Sequence, residues 1–175
     1  MNMESKEILM ADWDLHNYDW LYFPINDRQK LAITNMAVVE SIAYDNLDYT
    51  RTILISIRSV NGDQAEVRAP FQDKLFIAFD DVEFAKHGKV ITAEQGRAIA
   101  DFVRAHSDAE KIICQCEAGI SRSAAVAAAI LKANGQDDMP IFNSLLYLPN
   151  MLVFRTVLRA LMETENVEIA CGHSD

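Results

Sequence analysis

The sequence predicts a single α/β domain, with a central mixed sheet flanked by helices on both faces. Three observations lead there. A chain of 175 residues suits one domain of ordinary size. Half of the residues are hydrophobic and 24% are charged, so a real core can be buried. Short β-type runs alternate with stretches of helical period along most of the chain, the pattern of a sheet with helices packed on it.

The elements follow in order. Residues 1–27 are mixed, aromatic and acidic, with Trp13, Tyr18, Trp20, Tyr22 and Phe23 ahead of Pro24, and read as a strand or lid packed on the core. Residues 34–45 read as a short helix. Thr52-Ile53-Leu54-Ile55-Ser56-Ile57 is a β-rich run closed by the turn signal Asn61-Gly62-Asp63. Leu75-Phe76-Ile77-Ala78-Phe79 is a second strand, stopping at Asp80-Asp81. Thr92 is an N-cap with Gln95 at the capping-box position, and Ile99, Phe102 and Val103 keep helical spacing up to His106. Lys111-Ile112-Ile113-Cys114-Gln115 is a buried-type strand. An Ala-rich helix follows, with Ala124–Ala129 packed against the sheet, and ends near Asn134-Gly135. Two more helices, over 141–148 and 151–162, are separated by Pro149, and Asn150 caps the second. No repeat, low-complexity tract or linker-like stretch divides the chain.

Charge narrows the function. Sixteen Lys and Arg against 26 Asp and Glu leave a net charge of −10, which argues against nucleic acid or anionic membrane as a bulk partner. Three cysteines, Cys114, Cys116 and Cys171, make no disulfide framework. The N-terminus has no basic head before a long apolar run, and residues 124–131 fall far short of the roughly 20 needed to span a bilayer. A cytoplasmic protein is expected. No metal or other cofactor is expected either. His87 and His106 have no partner at ligand spacing, and Cys114-x-Cys116 is not a zinc spacing. Cys114 reads as a small buried apolar residue.

The chemistry lies in Cys116-Glu117-Ala118-Gly119-Ile120-Ser121-Arg122-Ser123, between a strand and a helix. A loop entering a helix presents unpaired backbone N–H groups to one spot, and the helix dipole adds to its affinity for an anion. Gly119 permits a backbone turn closed to other residues and a close approach to the ligand. Arg122, six residues after Cys116, can curl back and grip two phosphate oxygens with its planar fork. At the base of that positive cradle Cys116 is favoured as thiolate, an activated nucleophile. Ser123 can offer it a hydroxyl. The Walker arrangement, with Lys after Gly, is absent.

This segment resembles the Cys-x5-Arg signature of cysteine-dependent protein tyrosine phosphatases, above all the dual-specificity branch with Cys-x-x-Gly-x-Ser-Arg-Ser. The strand ending in Asp80-Asp81, the helix after it and the strand into the loop also fit, so the resemblance covers about residues 50–165. It implies a dual-specificity-phosphatase-like fold and divides the chain into an N-terminal segment, 1–50, packed on the core, and a catalytic domain, 51–175. It also implies a phosphocysteine intermediate on Cys116, with residues 117–122 (Glu117, Ala118, Gly119, Ile120, Ser121 and Arg122) as the phosphate-binding loop. Most members have His before the Cys; this chain has Gln115.

Expulsion of an alkoxide or phenoxide needs a general acid. The alternation Leu75, Ile77, Phe79, Asp81 puts Asp81 in phase with the inward residues, and the resemblance places the acid there too, so Asp81 is preferred to Asp80. The expected activity is hydrolysis of a phosphate monoester on a phosphorylated protein, phosphotyrosine first and phosphoserine or phosphothreonine second. The alternatives are a pseudophosphatase that reads phosphate with little turnover, and a phosphatase of nucleotides or other small phosphate esters.

Overall fold

The computed structural model describes residues 21–42 and 47–163. It contains a five-stranded sheet in the order β1-β2-β5-β3-β4. The strands are β1 (Tyr22–Pro24), β2 (Lys30–Asn35), β3 (Thr52–Arg58), β4 (Asp73–Ala78) and β5 (Lys111–Cys116). Only the β1–β2 pair is antiparallel; β2–β5, β5–β3 and β3–β4 run parallel. The expected mixed α/β architecture is therefore present, with β5 in the middle.

Both faces are covered, as strands buried on two sides require. From Thr52 to Ile57 every residue of β3 is buried, so this strand reads as an unbroken apolar run rather than an alternation. One face carries Leu31, Ile53, Ile55, Ile57, Ile112 and Cys114 against α2 (Ala93–Ala105), α3 (Arg122–Ala133) and α5 (Met151–Met162). The other carries Ala32, Leu54 and Ile113 against Val39 of α1 (Met36–Ser41) and the loop residues Tyr49, Ala69 and Phe71. From Arg122 to Leu131 every residue of α3 is buried, and its run of alanines lets the helix lie close to the sheet. The α2–α5 crossing is equally tight, because a Cβ on Gly96 would stand 2.9 Å from Thr156 Cγ2.

Local chemistry sets the helix ends. Thr92 and Gln95 form the complete capping box at the start of α2. Asn150 Oδ1 accepts from the N–H groups of Leu152 and Val153 and opens α5. Gly135, at φ +71°, follows α3 in the left-handed conformation that ends helices.

Three sequence expectations need correction. The helix expected over 34–45 begins only at Met36, because Thr34 and Asn35 still belong to β2 and Asn35 Oδ1 caps by accepting from Val38 N–H at 3.0 Å. The strand Lys30–Asn35 itself was not foreseen, although it lies directly beside β5. The helix expected over 141–148 is only α4, Met139–Phe142. Past it, Leu148 N–H donates to Ile120 O, which draws the chain out along the loop after β5, and Pro149 disfavours helical backbone just before it. Of the aromatic N-terminal run, Tyr22 and Phe23 are in β1, while Trp13, Tyr18 and Trp20 lie outside the described residues, as does Cys171. No helix among the described residues is long and apolar enough to cross a membrane.

Candidate active site

β5 ends at Cys116, paired in register with Asn35 of β2, so the loop 117–121 leaves the C-terminal edge of the middle strand. Gly119 is at φ +71°, and a Cβ there would stand 2.7 Å from Thr34 C and 2.8 Å from Thr34 O. The loop thus folds back over the end of β2 so closely that glycine is required twice, by φ and by space. Neighbours pin it on both sides: Met36 N–H donates to Glu117 O at 3.2 Å and Leu148 N–H to Ile120 O at 3.0 Å. Gly119→Ala should lower folding stability by about 2–4 kcal/mol, the combined effect of left-handed strain and backbone overlap. Thermal unfolding measures this, and an unchanged Tm would show that the loop does not need this turn.

The N–H groups of Glu117, Ala118, Gly119, Ile120 and Ser121 donate to no described residue. Cys116 is buried, and its Sγ lies 3.2 Å from Ser123 Oγ. Arg122 is buried too, and its fork is held from behind. Nη1 donates to Phe79 O at 2.9 Å and Ser59 Oγ at 3.1 Å, while Nη2 pairs with Glu117 Oε2. Glu117 Oε1 accepts in turn from Ser59 N–H at 2.9 Å. The buried Nε of Arg122 has no partner among the described residues. A charged donor left unpaired in a protein interior is costly unless a ligand meets it.

The two aspartates have different partners. Asp80 Oδ1 accepts from Val60 N–H at 3.0 Å and Oδ2 from Lys89 N–H at 2.8 Å, tying two loops to the end of β4. Those backbone bonds, Lys89 first, hold its carboxyl below the usual aspartate range. Asp81 is exposed, and its Oδ1 accepts from Ser121 Oγ at 2.8 Å and Asn150 Nδ2 at 2.9 Å. It therefore stands against the loop. Ser121 makes no capping bond at the start of α3, so its hydroxyl serves Asp81 instead.

Gln115 points to the opposite face of the sheet from Cys116. Its Oε1 accepts from Ser56 Oγ at 2.6 Å, and Ser56 Oγ accepts from Gln64 Nε2 at 3.2 Å. It brings no charge to the thiol. Cys114 is fully buried, and desolvation, with a smaller contribution from Cys116, pushes its thiol far up. His87 is exposed, and His106 ends α2, with Nδ1 2.8 Å from Phe102 O. Among the described residues no group of three His, Cys, Asp or Glu is arranged to hold a metal ion.

Sequence reasoning missed Ser59 altogether, since it lies just past β3 in a stretch that reads as a plain turn. Asn150 was seen only as a cap, although its amide also reaches Asp81. The sequence signal for Glu117 was its place in the loop; that it grips Arg122 is visible only in three dimensions. A Cβ on Gly62 would stand 2.8 Å from Glu117 Oε1, so the Asn61-Gly62 turn is what makes room for that carboxylate.

No protein-family model matches the chain, and no curated protein matches it. Solved structures do. A single-site variant of human DUSP28 superposes with a TM-score of 0.53 at 15% identity, covering 80% of this chain and 93% of that one. The fold is that of the dual-specificity phosphatases. Tk-PTP in the active form gives 0.51 at 14% identity, covering 81% of this chain and 95% of that one. PTPMT1 in complex with PI(5)P gives 0.50 at 13%, covering 82% and 95%. At these identities the likeness concerns the dual-specificity-phosphatase-like fold.

Proposed function

We propose that the protein is a cysteine-dependent phosphatase that hydrolyses phosphate monoesters, phosphotyrosine above all. The observation that carries this reading is the set of unpaired donors between Cys116 and Arg122. Five consecutive loop N–H groups and the buried Arg122 Nε await acceptors, and a thiol stands at the head of the same loop. A phosphoryl group supplies the oxygens they need. The thiolate of Cys116 attacks phosphorus, and the P–O bond to the leaving group breaks as the S–P bond forms. The loop amides and Arg122 stabilise charge on the three equatorial oxygens. Asp81 protonates the leaving oxygen. Its carboxylate then takes a proton from the water that cleaves the S–P bond and releases phosphate. Ser123, in contact with Cys116 Sγ, supports the departing thiolate.

The site suits a substrate that carries one phosphate group. Glu117 already neutralises Arg122, and Arg58 Nη1 is committed to the carbonyls of Ser59, Val60 and Gly62. Lys30 lies at the start of β2, the far end of the sheet from the loop, so it cannot supply a second cation. The chain should therefore hydrolyse p-nitrophenyl phosphate in EDTA. It should also favour a phosphotyrosyl peptide over a multiply phosphorylated inositol by at least about tenfold in kcat/KM, roughly 1.4 kcal/mol. Preference for the inositol at matched ionic strength would remove the protein-substrate reading and leave the cysteine chemistry standing.

Gln115 favours a second reading. With its side chain bonded to Ser56 on the other face, no cation stands beside the thiol from that position, and a phosphate reader with little turnover would bind tungstate without hydrolysing aryl phosphate. The same assay separates the two.

A further inference from the structure

Beside the loop stands a group of large apolar side chains that the chemistry above leaves unused. Residues 143–150, between α4 and α5, have no regular structure. Tyr147 turns inward, its ring 6.5 Å from that of Phe23 on β1. Leu145, Leu146 and Leu148 turn outward and are 104%, 67% and 76% exposed. Two of the three are held through their backbone, with Leu146 N–H donating to Ser144 Oγ at 3.1 Å and Leu148 N–H to Ile120 O at 3.0 Å.

The leucines join the mouth of the site. Ile120, half-exposed, lies on the loop itself, and Phe84, exposed, lies three residues after Asp81. The three segments are stitched together: Asn150 Nδ2 donates to Asp81, Met151 N–H to Glu83 Oε1 at 2.8 Å, and Leu148 N–H to Ile120 O. Exposed apolar clusters of this kind mark binding surfaces in soluble proteins. Here Leu148 is bonded through its backbone to Ile120 on the phosphate loop, so a peptide that presents its phosphate to the loop passes beside the leucines. The adjoining carboxylates Asp81 and Glu83, in a chain of net charge −10, oppose an anionic bilayer as the occupant.

We infer that this apolar rim selects the substrate, docking aliphatic or aromatic side chains that flank a phosphotyrosine in a peptide onto Leu145, Leu146 and Leu148. The inference rests on the phosphatase reading of the site. Partial burial of one or two leucines is worth roughly tenfold in affinity, so the rim acts through KM more than kcat.

The test uses the full chain and three substrates: p-nitrophenyl phosphate and two phosphotyrosyl peptides of equal net charge, one flanked by Leu and Phe, the other by Ser and Gly. The expected result is about a tenfold higher kcat/KM for the apolar peptide, reduced to within twofold of parity in the double variant Leu145→Ser, Leu146→Ser. Both side chains are largely in water, so this variant should fold. Failure of the wild type to hydrolyse p-nitrophenyl phosphate would overturn the phosphatase reading and this inference with it. Hydrolysis with the two peptides within twofold of each other would overturn the apolar rim alone, and so would a preference that survives in the double variant. A wild-type dimer dissolved by the double substitution in sedimentation, or binding to neutral phosphatidylcholine vesicles lost in the same variant, would give the leucines to a second copy or a bilayer and overturn it too.

Discussion

Cys116→Ser should lower kcat by roughly 10³-fold or more while leaving tungstate affinity within about threefold of wild type. The two effects separate because they depend on different atoms. Turnover needs a thiolate to attack phosphorus, and a serine hydroxyl in that place stays protonated. Oxyanion binding needs the loop N–H groups and Arg122 Nε, none of which the substitution removes. Cys114 is the natural control, two residues back on the same face of β5. Its full burial pushes the thiol far up, so it is inert as a nucleophile, and Cys114→Ser should retain turnover. Kinetics on p-nitrophenyl phosphate and calorimetric titration with tungstate measure both halves. Substantial activity in Cys116→Ser alongside its loss in Cys114→Ser would move the nucleophile to Cys114.

The parts of the fold legible in the sequence were those whose signals are local. The apolar run of β3, the Thr92 and Gln95 capping box, the strand into Cys116 and the helix after Arg122 all declare themselves within a dozen residues, and the structure has each. β2 was missed because Lys30-Leu31-Ala32-Ile33-Thr34-Asn35 is short and acquires its strand character from β5, about eighty residues away. The irregular path of 143–150 was missed for a related reason: nothing local marks the end of α4 at Phe142, and a bond to Ile120 O and the proline after Leu148 decide the backbone. The site divides the same way. Cys116, Gly119 and Arg122 are bound by a spacing that chemistry explains. The Glu117–Ser59–Arg122 contacts and the Asn150–Asp81 bond join segments distant in sequence, where periodicity carries no information.

Asp81→Asn should lower kcat by about 10²–10⁴-fold on phosphotyrosyl or alkyl substrates and much less on p-nitrophenyl phosphate, whose leaving group departs without a proton. Asp80→Asn is the contrast, because Asp80 holds backbone rather than the loop. Its carboxylate is stabilised by the N–H groups of Lys89 and Val60, so its folded-state pKa lies below the unfolded value. Such a group contributes stability above the unfolded pKa, and the contribution is lost as pH falls through the folded one. Asp80→Asn should therefore lower Tm at neutral pH and flatten the acid side of the stability curve, with no dependence on the leaving group. The decisive comparison is kcat against leaving-group acidity for both variants. A slope that steepens only in Asp81→Asn fixes the proton donor at the residue whose carboxylate meets Ser121 on the loop, and a slope that steepens only in Asp80→Asn would move the role one residue back.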